Sequence, residues 1–325
     1  MDPHPAEAVC GGEAAEGPAW ELLEGRDVVL GGTRAKGTDG LTVSRTLPNK
    51  DRRMVGAWCF VDHFGEAERD GGARADGHGM NVAPHPHTGL QTVTWLVEGG
   101  VLHRDSLANA QLIRPGQLNL MTAGPGIAHA EVSPTSGRLH GVQLWVALPD
   151  GARGVEPHFE HHARLPTVVD GAATVRVLTG ELAGVASPAR AYSPLVGAEV
   201  TLTDGAVTLP LQPEFEYAVL PLTGPIEVDG SELALGPMLY LGRGRVDLRL
   251  AASGSASVLL LGGEPFTERI VMWWNFIARS HEEIVADRED WMAGRRFGPV
   301  VGYDGDPLPA PPLPTTPLLP RGRVR

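Results

Sequence analysis

Short runs of β-branched, leucine and aromatic residues recur along most of this chain and leave little room for helices between them. Residues 92–98 and 140–148 are typical of these runs. Turn residues separate them, and the chain contains 42 glycines and 28 prolines. Short strands at such regular intervals predict an all-β sandwich or a closed barrel.

The strand pattern occurs twice, with a turn-like join at residues 149–151. A length of 325 residues also suits two domains of ordinary size. Near the C-terminus, Ser280 and Glu283 form a capping box that predicts one short helix. The predicted organisation is a disordered segment (1–24), a first barrel (25–150), a second barrel (151–266), a strand and helix region packed on the barrels (267–303) and a Pro-rich disordered tail (304–325).

Charge and composition exclude several classes of function. The formal net charge is −12, which disfavours direct binding to nucleic acid or to an anionic membrane. No run approaches the roughly 18 apolar residues of a membrane-spanning helix, and the N-terminus does not resemble a secretory signal. Cys10 and Cys59 are the two cysteines, and we interpret them as free thiols in a reducing cytoplasm.

Two pairs of potential metal ligands lie in neighbouring strand-like segments. His85 and His87 form one pair, and His129 and Glu131 form the other behind a glycine-rich turn. Residues i and i+2 of a strand point to the same face, so each pair projects together. If the two strands are neighbours in a barrel, three imidazoles and one carboxylate converge inside it. Such a mixed nitrogen and oxygen set suits Fe(II), Mn, Ni, Cu(II) or Zn and leaves coordination positions open for substrate.

The chain resembles the pirin family of the cupin superfamily. The first half carries the similarity: residues 52–56 and 62–65 resemble an early signature of the family, and residues 85–94 resemble its first metal motif. Residues 103–106 and 121–131 follow as in that family, and the second of these contains a segment similar to its second metal motif. Residues 155–303 show a weaker similarity.

The resemblance implies two jelly-roll cupin barrels with metal in the N-terminal barrel alone. It further implies Fe(II) held by His85, His87, His129 and Glu131. Several pirins are linked to quercetin 2,3-dioxygenase activity, in which O2 opens the ring of a flavonol. We therefore expect a small aromatic substrate and O2, with Glu131 acting both as ligand and as the base for the substrate hydroxyl.

Two other interpretations remain open from the sequence. Pirins are also linked to transcription factors and metabolic enzymes, so the chain could be an iron- or redox-dependent regulator with a protein partner and no turnover. A metal-stabilised structural protein without catalysis is the third interpretation. A dioxygenase needs an open cavity that reaches the metal and has apolar walls.

The sequence also predicts where four polar residues near the ligands lie relative to the metal. Gln91 has the strand parity of His87 and is a candidate hydrogen-bond partner within the site. Asp62 and His63 are candidates for orienting the ligands through hydrogen bonds. A two-residue hairpin at Gly99-Gly100 predicts that His103 points away from the metal.

In the second barrel, Glu214 and Glu216 form a carboxylate pair without histidine partners. We expect them to be solvated.

Overall fold

The computed structural model describes residues 17–30, 41–65, 80–134 and 138–324. These residues form two cupin barrels built mostly of strands, as the sequence predicts. Predictions for residues 1–16 lie outside this part of the chain. Among the described residues, no helix has the length and apolar character needed to cross a membrane.

The secondary structure comprises 24 strands and one helix among the described residues. The strands that precede residue 150 are β1 (Pro18–Leu23), β2 (Arg26–Leu30), β3 (Leu41–Leu47), β4 (Trp58–Phe64), β5 (Asn81–His87), β6 (Leu90–Glu98), β7 (Val101–Asp105), β8 (Ala110–Ile113), β9 (Leu118–Thr122), β10 (Ile127–Val132) and β11 (His140–Ala147). The later elements are β12 (His158–His162), β13 (Thr167–Asp170), β14 (Ala173–Thr179), β15 (Glu181–Leu182), β16 (Val185–Ala186), β17 (Leu195–Pro210), β18 (Glu216–Thr223), β19 (Ile226–Val228), β20 (Ser231–Leu233), β21 (Met238–Gly242), β22 (Asp247–Gly263), β23 (Val271–Trp273), β24 (Phe276–Ala278) and α1 (His281–Met292).

The N-terminal barrel consists of two sheets. One has seven strands in the order β12-β9-β6-β11-β4-β3-β2, and the other has four in the order β5-β10-β7-β8. Every pairing is antiparallel, so the long connections of a parallel sheet are not needed. The four-stranded sheet contains both strands that carry the predicted metal ligands.

The C-terminal barrel is built around two long strands. β17 and β22 have 16 and 17 residues and pair along their length, with a register shift between Thr203 and Gly205. A bulge of this kind bends a strand and lets it continue around a barrel. Buried aliphatic side chains from β14, β17, β18 and β22 fill the interior.

The two barrels exchange edge strands, which the sequence did not predict. β1 pairs with β21 of the C-terminal sheet, although we expected residues 1–24 to be disordered. β12 pairs with β9 of the N-terminal sheet, although it lies in the segment assigned to the second barrel. Each exchanged strand forms hydrogen bonds with the edge strand of a sheet in the other half of the chain. The local sequence therefore carries no signal for the exchange.

The largest apolar core lies where the barrels meet. Trp58 is fully buried there, and its indole N–H donates to the carbonyls of Val196 (3.1 Å) and Gly262 (3.2 Å) of the C-terminal barrel. The N–H of Trp95 donates to Glu199 across the same junction (3.3 Å). Polar groups of two large aromatic side chains therefore fix the relative position of the barrels.

The predicted C-terminal helix is present and begins at the predicted cap. The hydroxyl of Ser280 accepts a hydrogen bond from the Glu283 backbone N–H (3.2 Å). The Glu283 carboxylate accepts from the Arg279 N–H (2.8 Å). α1 ends at Met292, two residues before Gly294, which adopts the left-handed conformation typical of a helix stop.

The Pro-rich tail is ordered, so the expectation of disorder for residues 304–325 is wrong for residues 304–324. These residues contain neither helix nor strand, yet their backbone groups bond to the rest of the protein. Ile270 and Arg321 exchange two backbone hydrogen bonds of 3.0 and 2.9 Å. Leu313 and Leu318 pack on the cluster around α1. A proline-rich segment costs little conformational entropy to order, which makes such a docked conformation feasible.

Candidate metal centre

β10 brings the two predicted ligand pairs together. Its neighbours are β5 on one side and β7 on the other. His129 lies directly opposite His85, and antiparallel partners share a face. Since His87 and Glu131 are two residues further along their strands, all four side chains line one cavity. The register shifts between His129 and Glu131, which offsets the carboxylate from the imidazoles.

Backbone carbonyls orient two of the imidazoles. Nδ1 of His85 lies 2.9 Å from the Ala83 carbonyl oxygen, and Nδ1 of His87 lies 3.0 Å from that of Asn275. A carbonyl accepts only, so each Nδ1 carries the proton and donates it. Each Nε2 is then an unprotonated donor of a lone pair, the form in which histidine binds metals.

The imidazole spacing fits a single cation. Nε2 of His87 and Nε2 of His129 are 3.0 Å apart. Two nitrogens in neighbouring positions on one metal, each about 2.1 Å from it, lie about 3 Å apart. The ligand atoms of His85, His87 and His129 all lie within 4.8 Å of one another.

Burial keeps these histidines neutral. Desolvation lowers the pKa of His85 to about 4, against the opposing effect of its hydrogen bond to Ala83. Desolvation also places the pKa values of His87 and His129 well below the ordinary value, and neighbouring histidines lower them further. All three side chains are therefore ready to coordinate metal at neutral pH.

Glu131 belongs to a second, overlapping group. Its carboxylate, His103 and His129 also lie within 4.8 Å of one another. Oε1 accepts a hydrogen bond from the Thr94 hydroxyl (3.1 Å). Burial raises the pKa of Glu131, while His103 and Thr94 oppose that rise. Burial therefore makes this carboxylate a better proton acceptor than an exposed glutamate.

The prediction that His103 points away from the site is wrong. β6 and β7 lie in different sheets, so the expected hairpin pairing across Gly99 and Gly100 does not form. His103 instead pairs with Glu131 of β10 and shares its face. Its Nδ1 lies 3.4 Å from Nδ1 of His129.

A short hydrogen-bonded chain supports His129. Nε2 of His103 lies 3.2 Å from Oδ2 of Asp105, which fixes the His103 proton on Nε2. When His103 is neutral, its Nδ1 is an acceptor, and Nδ1 of His129 donates to it. This assignment leaves Nε2 of His129 free to face the other ligands, as it is in His85 and His87.

A cavity of about 470 Å³ opens onto the ligands. Its size falls within the range of small-molecule sites. Phe60 and Trp145 stack at 3.9 Å along its wall, and Trp145 lies 5.1 Å edge-on from His87. The remaining described lining residues are Arg26, Val28, Val29, Leu30, Arg45, Pro48, Asp62, Phe64, Met80, Val82, Gln143, Met272, Trp274, Asn275 and Leu308.

Of the three residues predicted to support the ligands, only Asp62 lines the cavity. Asp62 binds Arg45 through two contacts of 2.7 Å. His63 lies on the opposite face of β4, where its Nε2 is 2.8 Å from Nε2 of His140. Gln91 directs its amide N–H groups to the Thr122 hydroxyl (2.9 Å) and the Arg190 carbonyl (3.0 Å), away from the ligands.

The prediction that Gln91 shares the face of His87 and bonds within the site is wrong because the chain changes sheets between them. Gly89, between β5 and β6, has a φ of +68°, and the chain crosses there from one sheet to the other. Alternation along a strand does not continue across such a crossing.

The sequence analysis did not identify Thr94, Asp105 and Asn275 as residues that support the ligands. Thr94 lies in the alternating run Thr92-Val93-Thr94, and Asp105 lies in the continuous polar run of residues 103–106. Asn275 is 188 residues from His87 and gives no local signal.

The second barrel carries no comparable group among the described residues. Both candidate metal groups lie in the N-terminal barrel. The expectation of a solvated Glu216 is wrong, since its side chain is fully buried and bonds to Gly56 N–H (2.6 Å), the Tyr240 hydroxyl (2.8 Å) and Arg323 (2.7 Å). Glu216 therefore forms a structural ion pair with Arg323 and is not a metal ligand.

Two family models and several curated proteins are similar to this chain. A family model described as Pirin matches residues 40–146, and one described as the Pirin C-terminal cupin domain matches residues 197–298. A Pseudomonas aeruginosa protein named "Putative quercetin 2,3-dioxygenase" is 50% identical, with 85% of this chain and 87% of that protein covered. A pirin-like protein from Caulobacter vibrioides is 38% identical over 86% of this chain and 97% of its own length.

A solved structure shows the same fold. The crystal structure of a quercetin 2,3-dioxygenase from Acinetobacter baumannii superposes with a TM-score of 0.84 at 42% identity. The match covers 91% of this chain and 96% of that one. Together with the two family matches, this shows that the chain belongs to the pirin family of two-barrel cupin proteins.

Proposed function

We propose that this protein is a metal-dependent dioxygenase of the quercetin 2,3-dioxygenase type. The observation that carries the proposal is the orientation of three neutral imidazoles and one buried carboxylate toward a cavity with aromatic walls. Such a cavity suits a flat aromatic substrate with at least one hydroxyl group, of which a flavonol is an example. The relatives named for this activity support the choice of reaction.

We propose Fe(II) as the native metal, held by His85, His87, His129 and Glu131. The donor set also suits Mn, Ni, Cu or Zn, and ligand type alone does not rank them by use in the cell. A redox-active divalent metal would supply the electron transfer that allows O2 to react with a closed-shell aromatic compound.

The residues of the chain perform the remaining tasks. The carboxylate of Glu131 accepts the proton of the substrate hydroxyl, because burial raises its pKa and so favours proton uptake. The Thr94 hydroxyl holds that carboxylate in place. Phe60 and Trp145 contribute apolar aromatic surface to the cavity wall, against which an aromatic substrate can pack.

O2 uptake tests the proposal. Protein loaded anaerobically with Fe(II) is expected to consume O2 with quercetin and to release carbon monoxide as the ring opens. Glu131→Gln should lower turnover by about 10²–10⁴-fold, the range for loss of a general base. His87→Ala should abolish turnover, and His162→Ala, a histidine of β12 outside the cavity, should behave as the unmodified protein.

Metal content measured on the same samples separates the outcomes. One metal per chain without O2 uptake would reject the dioxygenase proposal and favour the redox-dependent, protein-binding regulator. Turnover that survives His87→Ala would place the chemistry elsewhere in the molecule.

The support of His129 by His103 gives a separate prediction. His103→Phe retains the ring that stacks on Phe159 but removes the acceptor for Nδ1–H of His129. We expect metal affinity to fall about 10–100-fold, the usual effect of losing a hydrogen-bond partner of a ligand. Competition with a chromogenic chelator measures this, with His103→Asn expected to recover part of the loss. An affinity within about twofold of the unmodified protein would contradict the role.

A further inference from the structure

The ordered tail, residues 304–324, touches the candidate metal centre near its beginning. The N–H of Leu308 donates to the carbonyl of Pro84, the residue before His85, at 2.8 Å. The carbonyl of Leu308 accepts from the indole N–H of Trp291, also at 2.8 Å. Both backbone groups of Leu308 are therefore fixed, and its side chain forms part of the cavity wall. We call residues 304–324 the C-terminal strap.

The middle of the strap follows α1. The N–H of Ala310 lies 3.3 Å from the sulfur of Met292, and the N–H of Leu318 donates to Nδ1 of His281 at 3.2 Å. The Pro311 carbonyl accepts from Arg288 at 2.7 Å. Contacts at both ends of the helix show that the strap lies along it and is not attached at a single point.

The end of the strap enters the junction between the barrels. Arg323 is 6% exposed, and its guanidinium donates to the Glu216 carboxylate at 2.7 Å. The same carboxylate accepts from the Gly56 N–H and the Tyr240 hydroxyl. The Arg323 carbonyl accepts from the Arg53 N–H at 2.7 Å. A buried and fully bonded ion pair needs both partners, because either one alone would be an uncompensated charge.

These contacts join three places that are distant in sequence: the cavity, the helix and the second barrel. We infer that the C-terminal strap is part of the substrate site, with Leu308 as a specificity-determining residue and the Arg323–Glu216 pair as the latch that holds the strap against the cavity. The inference rests on the proposed function for the identity of the ligand, but the latch itself is a structural claim about access to the metal site.

The inference assigns a role to the second barrel. Glu216 lies in β18 of that barrel and fastens a segment that borders the site in the first one. The second barrel has no candidate metal group among the described residues. It contributes to the site by anchoring the strap.

Two point variants test the two parts of the inference, using the full chain loaded with Ni(II). Arg323→Ala releases the latch, so the rate of Ni(II) transfer to a chelator should rise by about tenfold or more, since each ~1.4 kcal/mol of lost contact energy shifts an opening equilibrium tenfold. Arg323→Lys retains a cation and should recover part of that change. Leu319→Ala is the matched control, because Leu319 belongs to the strap but is 71% exposed.

Leu308→Ala should weaken quercetin binding by about 10-fold or more, because it removes part of the cavity wall while the backbone bonds of Leu308 remain. Equal transfer rates in Arg323→Ala and the unmodified protein would overturn the latch. Equal quercetin affinity in Leu308→Ala would overturn the specificity role. If the unmodified protein fails to bind quercetin, the proposed substrate class is wrong, whereas the transfer rates still decide the latch.

Discussion

Replacing His129 with alanine is expected to abolish metal binding. His129 is the one residue shared by the two candidate metal groups, so its loss removes a ligand from both. Its Nε2 lies 3.0 Å from that of His87, and no other described side chain is placed to substitute for it at that distance. Metal content after anaerobic loading should fall from one per chain to near zero.

The stability of the same variant gives an independent measurement. A metal at 100 times its dissociation constant stabilises the folded state by about 2.7 kcal/mol. We expect this increment in the unmodified protein and in the His162→Ala control, and none in His129→Ala. A variant that still gains stability on metal addition would show that the ligands lie elsewhere.

Replacing Trp58 with alanine is expected to cause the largest loss of stability of any single change considered for this chain. The side chain is fully buried in the core between the barrels, and truncation of a buried tryptophan typically costs about 3–5 kcal/mol. The variant also removes the N–H that the carbonyls of Val196 and Gly262 both accept. Urea unfolding followed by circular dichroism measures the difference.

Two companion variants separate packing from hydrogen bonding at this position. Trp58→Phe retains a buried ring but lacks the indole N–H, so it should lose about 1–3 kcal/mol. Trp20→Ala is the control, since Trp20 is 44% exposed, and it should change stability by no more than about 0.5 kcal/mol. A loss below about 1 kcal/mol in Trp58→Ala would show that the barrels do not depend on this contact.

The sequence predicted the features that depend on local periodicity. Strand parity alone placed His85 beside His87 and His129 beside Glu131, and the register of β5 with β10 brings the pairs together. The helix cap at Ser280 was equally local, because one hydroxyl and one N–H three residues later define it.

Predictions were wrong where the chain passes from one sheet to another. Those for Gln91 and His103 assumed that alternation or pairing continues through a glycine turn, whereas both turns carry the chain into a different sheet. A glycine with a positive φ permits a two-residue hairpin and a sheet crossing alike, so the residue type does not distinguish them. Only the tertiary arrangement does.

Long-range contacts were beyond reach for a different reason. Leu308 and Asn275 contribute to the site from positions far along the chain, and neither lies in a motif with chemical character. Arg323 lies in a segment whose composition is that of a disordered tail, and its buried carboxylate partner is 107 residues away. Composition predicts the cost of ordering such a segment but not the partner that stabilises it.

The most direct test of the proposed metal centre is a crystal structure of the Fe(II)-loaded protein with diffraction data collected at the iron absorption edge. We expect one anomalous peak per chain, in the N-terminal barrel. It should lie about 2.0–2.2 Å from Nε2 of His85, His87 and His129 and from the carboxylate of Glu131, the usual distances for nitrogen and oxygen ligands. A peak at any other group of residues, or a folded protein that takes up no iron, would contradict it.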